Sequence, residues 1–170
     1  MKFSQRSEAG VRLLIDLARR RGDGPASLSE VARIEGLSQS FLEQVIIPLR
    51  KAGFVRSYQG VRGGYELARV PEEIGMGEVM SVLEGSLAPM FCVGVEPERD
   101  VCALEDNCGT RVLWARVRDG IVDALDKTTL AELMIDGADN DGAAASPAAF
   151  TSMVPTRTVG PDGCADYQAS

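Results

Sequence analysis

The sequence of 170 residues contains no histidine, a single tryptophan and only 5% aromatic residues. Without histidine, Ser–His and Cys–His catalytic pairs and histidine-ligated zinc are impossible. A P-loop and a Cys-x-x-Cys redox pair are also missing, and the glycines of "GVRGGY" precede a strand pattern rather than the helix of a dinucleotide site. These absences argue against an enzyme. No apolar run approaches the length that crosses a bilayer, and the start, "MKFSQRSEAGVRLL", breaks its apolar residues with charge, unlike a secretory signal. The expected location is therefore the reducing cytoplasm, with no membrane partner, where clustered thiols hold metal or do redox work more often than they form disulfides.

Charge is unevenly divided. Residues 1–70 carry twelve Lys and Arg against seven Asp and Glu, whereas residues 71–170 carry six against eighteen, so the overall net charge of -7 hides a basic N-terminal module. A basic module on an acidic chain fits a nucleic-acid binder.

Periodicity gives the order of elements. Val11, Leu14, Ile15 and Ala18 predict a helix over about 4–20, ended by "GDGP". Ser27 and Glu30 stand in capping-box register for a short helix to about Glu35, and Gly36 breaks it. Ser38 then caps "QSFLEQVIIPLRKAG", in which Leu42, Val45, Ile46 and Leu49 share one buried face and Gln39, Ser40, Glu43, Gln44, Ile47 and Arg50 the other. Pro48 within that helix predicts a kink or an irregular last turn. "FVRSY" and "YELA" flank "QGVRGG" as a hairpin whose three glycines permit positive φ in the loop. Two short helices, a glycine turn and a hairpin make a winged helix-turn-helix over 1–70. The fold class expected is mainly α with a small β wing.

Residues 71–136 are expected to hold a second region: the helix "GMGEVMSVLEG", a cysteine loop, a long helix and a short last one. The long helix carries Val112, Trp114, Val117, Ile121, Val122 and Leu125 near heptad spacing, which predicts a homodimer seam through Trp114, Val117, Ile121 and Leu125. Thr129 and Glu132 form a capping box for "LAELM", a short helix able to fold back against the long one. Residues 137–170, rich in Gly, Ala, Ser, Asp and Pro, predict a disordered tail, with Cys164 a bystander.

On the winged helix, Ser38, Gln39, Ser40 and Glu43 suit base edges in the major groove, Glu43 by accepting from a cytosine amine. Arg50 and Lys51 lie within reach of phosphates, and Arg56, Gln59 and Arg62 place the wing against the DNA backbone or a minor groove. The loop "CVGVEPERDVCALEDNC" spaces Cys92, Cys102 and Cys108 as C-x9-C-x5-C, soft ligands for zinc or an iron–sulfur cluster. Three thiolates need a fourth ligand; with no histidine, Glu8, Glu105, Asp106 and Cys164 are the named protein candidates. Three free thiols, or a pair that oxidises reversibly, are the plainer alternative.

"LSQSFLEQVIIPLRKAGFVRSYQGVRGGYELAR", "GEVMSVLEG", the cysteine loop and "LWARVRDGIVDALDKTTLAEL" closely resemble the IscR/NsrR (Rrf-two) family of bacterial iron–sulfur winged-helix repressors, over residues 1 to about 135. The resemblance implies a homodimer joined by the long helix, binding palindromic promoter DNA under control of a cluster held by Cys92, Cys102 and Cys108. It adds Phe41 to the DNA surface formed by Ser38, Ser40, Glu43 and the wing from Gln59 to Arg62. The branch that regulates cluster assembly has a histidine where this chain has Arg111. The nitric-oxide-sensing branch has an acidic residue, donated from the partner subunit, where Glu8 stands. The missing histidine and the acidic Glu8 favour a [4Fe-4S] over a [2Fe-2S] cluster. The first cysteine gap is four residues longer than is common in the family, and Gln59 replaces an arginine often found in the wing. Two other readings stay open: a cluster-free winged-helix regulator that responds to thiol oxidation or a partner protein, and a zinc-stabilised interaction module.

Overall fold

The computed structural model describes residues 3–60, 63–94 and 108–134. All of them fall within the unit Met1–Ile135. Cys102, Arg62, Glu105, Asp106, Cys164 and the expected tail lie outside the described residues. Among the described residues six α-helices and two strands follow the order α1 (Gln5–Arg19), α2 (Leu28–Glu35), α3 (Gln39–Lys51), β1 (Val55–Tyr58), β2 (Gly64–Leu67), α4 (Met76–Glu84), α5 (Arg111–Asp126) and α6 (Leu130–Leu133). Single 3-10 turns stand at Pro71–Glu73 and Phe91–Val93. The mainly α fold with a small β wing is present as expected.

Local signals explain most helix starts. The hydroxyls of Ser4, Ser27, Ser38 and Thr129 each accept from an amide in the first turn that follows, satisfying donors that a helix N-terminus otherwise leaves open. At Thr129 the capping box is reciprocal, with Glu132 accepting from the Thr129 amide. At Ser27 the carboxylate of Glu30 instead takes the Arg20 guanidinium at 2.9 Å, so the residue just past α1 replaces the expected reciprocal bond. Gly36 and Gly85 close α2 and α4 with positive φ.

The core is continuous from α1 to α6. Leu13 and Leu14 of α1, Val31 of α2, Leu42, Val45 and Leu49 of α3, Phe54, Ile74, Val79 of α4 and Leu130 of α6 are all buried in one cluster. The helix through Pro48 runs α-helical to Lys51, with the Ala52 amide donating to the Pro48 carbonyl at 2.9 Å. Proline has no N–H for the carbonyl of Gln44, and that residue is exposed. The expected irregularity is thus confined to one missing bond on the solvent side.

The strands pair antiparallel, Val55 with Leu67, Arg56 with Glu66, Ser57 with Tyr65 and Tyr58 with Gly64. Ala26 bridges the other edge of β2: its amide donates to the Tyr65 carbonyl at 3.0 Å and its carbonyl accepts from the Tyr65 amide at 2.9 Å. Of the three hairpin glycines only Gly60 has a positive φ, of 114°. Gly63 and Gly64 serve a different need. A Cβ on Gly63 would stand 2.5 Å from the Tyr58 carbonyl oxygen, and one on Gly64 would collide with the Ala26 carbonyl. Close backbone approach, not handedness, selects glycine there.

α4 is the middle layer, packed on α1 and α3 on one side and α5 on the other. Its seat against α5 is tight at Gly77, where a Cβ would collide with the Asp126 carboxylate. α6 packs against α1 and the Pro71–Glu73 turn. Two backbone bonds hold it there: the Leu130 amide donates to the Ile74 carbonyl, and the Met76 amide to the Thr128 carbonyl, each at 2.9 Å.

Candidate DNA surface and cysteine site

Because Leu42, Val45, Ile46 and Leu49 are drawn into the core, α3 turns Gln39, Ser40, Glu43, Gln44, Ile47 and Arg50 to solvent. Ser38 is occupied as the N-cap, accepting from the Phe41 amide at 3.3 Å. Phe41 is half-buried and packs against the core. The Gln39 amide donates to the Glu43 carboxylate at 3.0 Å, one turn along the same face.

The hairpin stands beside the end of this helix. The Arg50 guanidinium reaches Ser57 of β1 at 3.4 Å, and Lys51 and Gln59 are exposed. Arg56 is exposed as well, but its guanidinium donates to the Ala68 carbonyl at 3.0 Å, which folds it back across the wing. Arg69 is held over the Phe54 ring at 5.6 Å and donates to Glu78 at 2.9 Å.

Two of the three loop thiols are described, and both are free and half-buried. Cys92 sits in the Phe91–Val93 turn, which packs on α5; Arg118 of α5 holds that turn by donating to the Val93 carbonyl at 2.9 Å. Cys108 precedes the first turn of the same helix. Thr110 occupies the N-cap of α5, yet with helical φ and ψ, and its side chain makes no cap bond. Its hydroxyl lies 3.2 Å from the Cys108 sulfur instead. That hydroxyl, then the amides of Thr110 and Arg111 and the Arg111 charge, hold the thiol below its usual pKa. Thiolate is the form that binds metal or reacts. Among the described residues no three Cys, Asp or Glu side chains are gathered into a metal-binding group.

Glu8 projects from the first half of α1 with its side chain 71% exposed, 4.0 Å from the Arg12 guanidinium. Arg12 is engaged more closely by Glu35 at the end of α2, at 2.7 Å to the carboxylate and 2.8 Å to the carbonyl. Glu8 is thus an exposed acid on the winged helix, linked to Arg12 rather than to either described cysteine.

α5 contains no buried residue. Val112, Leu113 and Val117 are 60%, 54% and 37% exposed, and Phe91 beside the helix is 74% exposed. Trp114, Ile121 and Val122 are half-buried, and Leu125 packs against the core. The open apolar strip therefore runs through Leu113, which the heptad reading missed, and is weaker at Leu125.

Residues 3–136 match the family model of the Rrf2 iron-dependent transcriptional regulators. The chain belongs to the Rrf2 family. The regulator CymR of Bacillus subtilis is 40% identical over 134 residues, covering 78% of this chain and 89% of that protein. The solved structure of CymR, the global cysteine regulator of B. subtilis, matches with a TM-score of 0.63 over 79% of this chain and 96% of that one. IscR of Aliivibrio salmonicida is 36% identical over 136 residues, 80% of this chain and 79% of that protein. The structure of T. potens IscR gives a TM-score of 0.64 at 39% identity, covering 79% of this chain and 86% of that one. This Rrf2 protein is a winged-helix, DNA-binding transcription regulator and not an enzyme. No helix among the described residues is long and apolar enough to cross a membrane.

Thr110 and Arg118 are the site residues that sequence reasoning did not single out. Neither carries a local signal: each matters for what it touches, a sulfur two residues back and a carbonyl 25 residues away.

Proposed function

We propose that this Rrf2 protein is a homodimeric repressor of the IscR/NsrR type, whose grip on palindromic promoter DNA depends on an iron–sulfur cluster held by Cys92, Cys102 and Cys108. Glu8 of the partner subunit is the fourth ligand, and the cluster is [4Fe-4S]. The observation that carries the reading is that Cys92 and Cys108 are free, accessible thiols anchored on one helix, with Cys108 already biased to thiolate by Thr110. This donor set fits iron in a cluster. The open apolar strip at Val112, Leu113 and Val117 supports a dimer along α5.

When bound, the cluster supplies an iron centre that reacts with nitric oxide or oxygen and is lost when iron is scarce. The protein residues do the rest. Arg118 holds the Cys92 turn on α5, α5 seats on α4 at Gly77, and α4 packs on α1 and α3, so a shift of the cysteine loop has a packed route to the recognition helix. Gln39, Ser40 and Glu43 face the groove, with Ser38 capping the helix and Phe41 seating it on the core beside them, while Arg50, Lys51, Gln59, Arg62 and, once released from the Ala68 carbonyl, Arg56 hold the DNA backbone.

The test is iron, acid-labile sulfide and visible absorbance on protein purified without oxygen. Brown protein with matched iron and sulfide supports the cluster, and Glu8→Ala then tests the ligand by loss of iron. Colourless protein that resists reconstitution removes it. The second reading, a thiol switch on the same dimer, is favoured by the hydroxyl of Thr110 beside the Cys108 sulfur and the thiolate bias it gives. It requires DNA affinity that follows dithiol reagents in iron-free protein.

A further inference from the structure

The outward face of α3 is polar except at one place. Ile47 is 46% exposed, the one large apolar side chain of the helix that is. Its neighbours one turn away on the helix surface are Glu43 and Gln44 before it and Arg50 and Lys51 after it, all of them polar or charged and all exposed. A single exposed isoleucine is ordinary on a protein surface. This one stands on the helix offered to DNA, between the half that meets base edges and the end within reach of phosphates. On α3 it is an isolated apolar spot in a polar field, not part of a broad patch of the kind a protein partner covers.

The matching ligand surface carries one apolar group among acceptors and anions. In the major groove that group is the C5-methyl of thymine, which stands beside the O4 acceptor in a groove walled by phosphates. Cytosine has no methyl there, and the purines present only ring nitrogens, carbonyls and amines. The side chain is also prepared for such a contact. A β-branched residue in a helix keeps essentially one χ1 rotamer, so packing a methyl against Ile47 orders little that is not already ordered.

We infer that Ile47 is a specificity-determining residue of the recognition helix, which selects a thymine in each half-site by packing its side chain on the C5-methyl. The inference rests on α3 entering the major groove, as proposed above, and is independent of any cluster.

The experiment is selection of sites from randomised duplexes by the full-length protein, followed by replacement of each thymine of the selected half-site, one at a time, by deoxyuridine, which removes only the methyl. Wild type is expected to lose about fourfold in affinity at one thymine, the worth of one buried methyl group. Ile47→Ala should bind the thymine and uracil duplexes alike at that position, and Ile47→Val should keep most of the difference. Alanine is the better helix former and the site is exposed, so thermal melts of the variants should match wild type. The inference is overturned by a selected site in which no thymine responds to loss of its methyl. It is equally overturned by a methyl effect that Ile47→Ala leaves intact, since another residue or the shape of the duplex then reads the methyl. Wild-type binding with no sequence preference at all overturns the groove-facing assignment of α3 itself, and this inference with it.

Discussion

The hydroxyl of buried Ser7 donates to the carboxylate of Glu84, 77 residues later, and so ties the first turn of α1 to the last turn of α4. The Ser4 amide donates to the same carboxylate at 2.6 Å. The Ser7 bond is the main reason the Glu84 pKa lies below the usual carboxylate range. A depressed carboxylate stabilises the fold above its unfolded pKa, and the benefit fades as pH falls through the folded value. Glu84→Gln is expected to cost about 1 kcal/mol at pH 7. Thermal melts of wild type and variant should converge in acid; a gap that stays constant with pH would contradict the ionic role.

Gly64→Ala places a methyl against the Ala26 backbone carbonyl, which the Tyr65 bonds hold in place. Overpacking of this kind costs about 1–3 kcal/mol. The wing should lose its seat, with a lower melting temperature and weaker DNA binding in the same variant.

Val117→Asp puts a charge on the open strip of α5, where no residue is buried within the subunit. Light scattering should report a monomer while the far-ultraviolet spectrum keeps its helical signal. A dimer that survives the change would move the subunit contact elsewhere.

Thr110→Val removes the hydroxyl that faces the Cys108 sulfur. The thiol should rise toward its usual pKa, so alkylation of Cys108 in iron-free protein at pH 7 should slow by a factor of a few, followed by mass spectrometry of its peptide. Thr110→Ser should restore the rate.

What could be read from the chain alone is what depends on neighbours in sequence. The apolar spacing of Leu42, Val45, Ile46 and Leu49 fixes which side of α3 is wet, and Ser38 and Thr129 announce their helices because a cap bonds within the next turn. What could not be so read has distant partners. The Glu30 carboxylate takes Arg20 instead of closing its capping box, Gly64 answers to Ala26, and α6 is placed by the Ile74 carbonyl. The cysteine spacing raised thiolate chemistry as an expectation, but the hydroxyl that faces Cys108 had no pattern to betray it.

The bonds between Ile74 and Leu130 and between Met76 and Thr128 have an evolutionary consequence. They bring Met76 and Thr128, at the two ends of the stretch 77–127, to one clamp beside α6. A change of length inside that stretch can leave both clamped ends, and with them the start of α4 and of α6, where they stand.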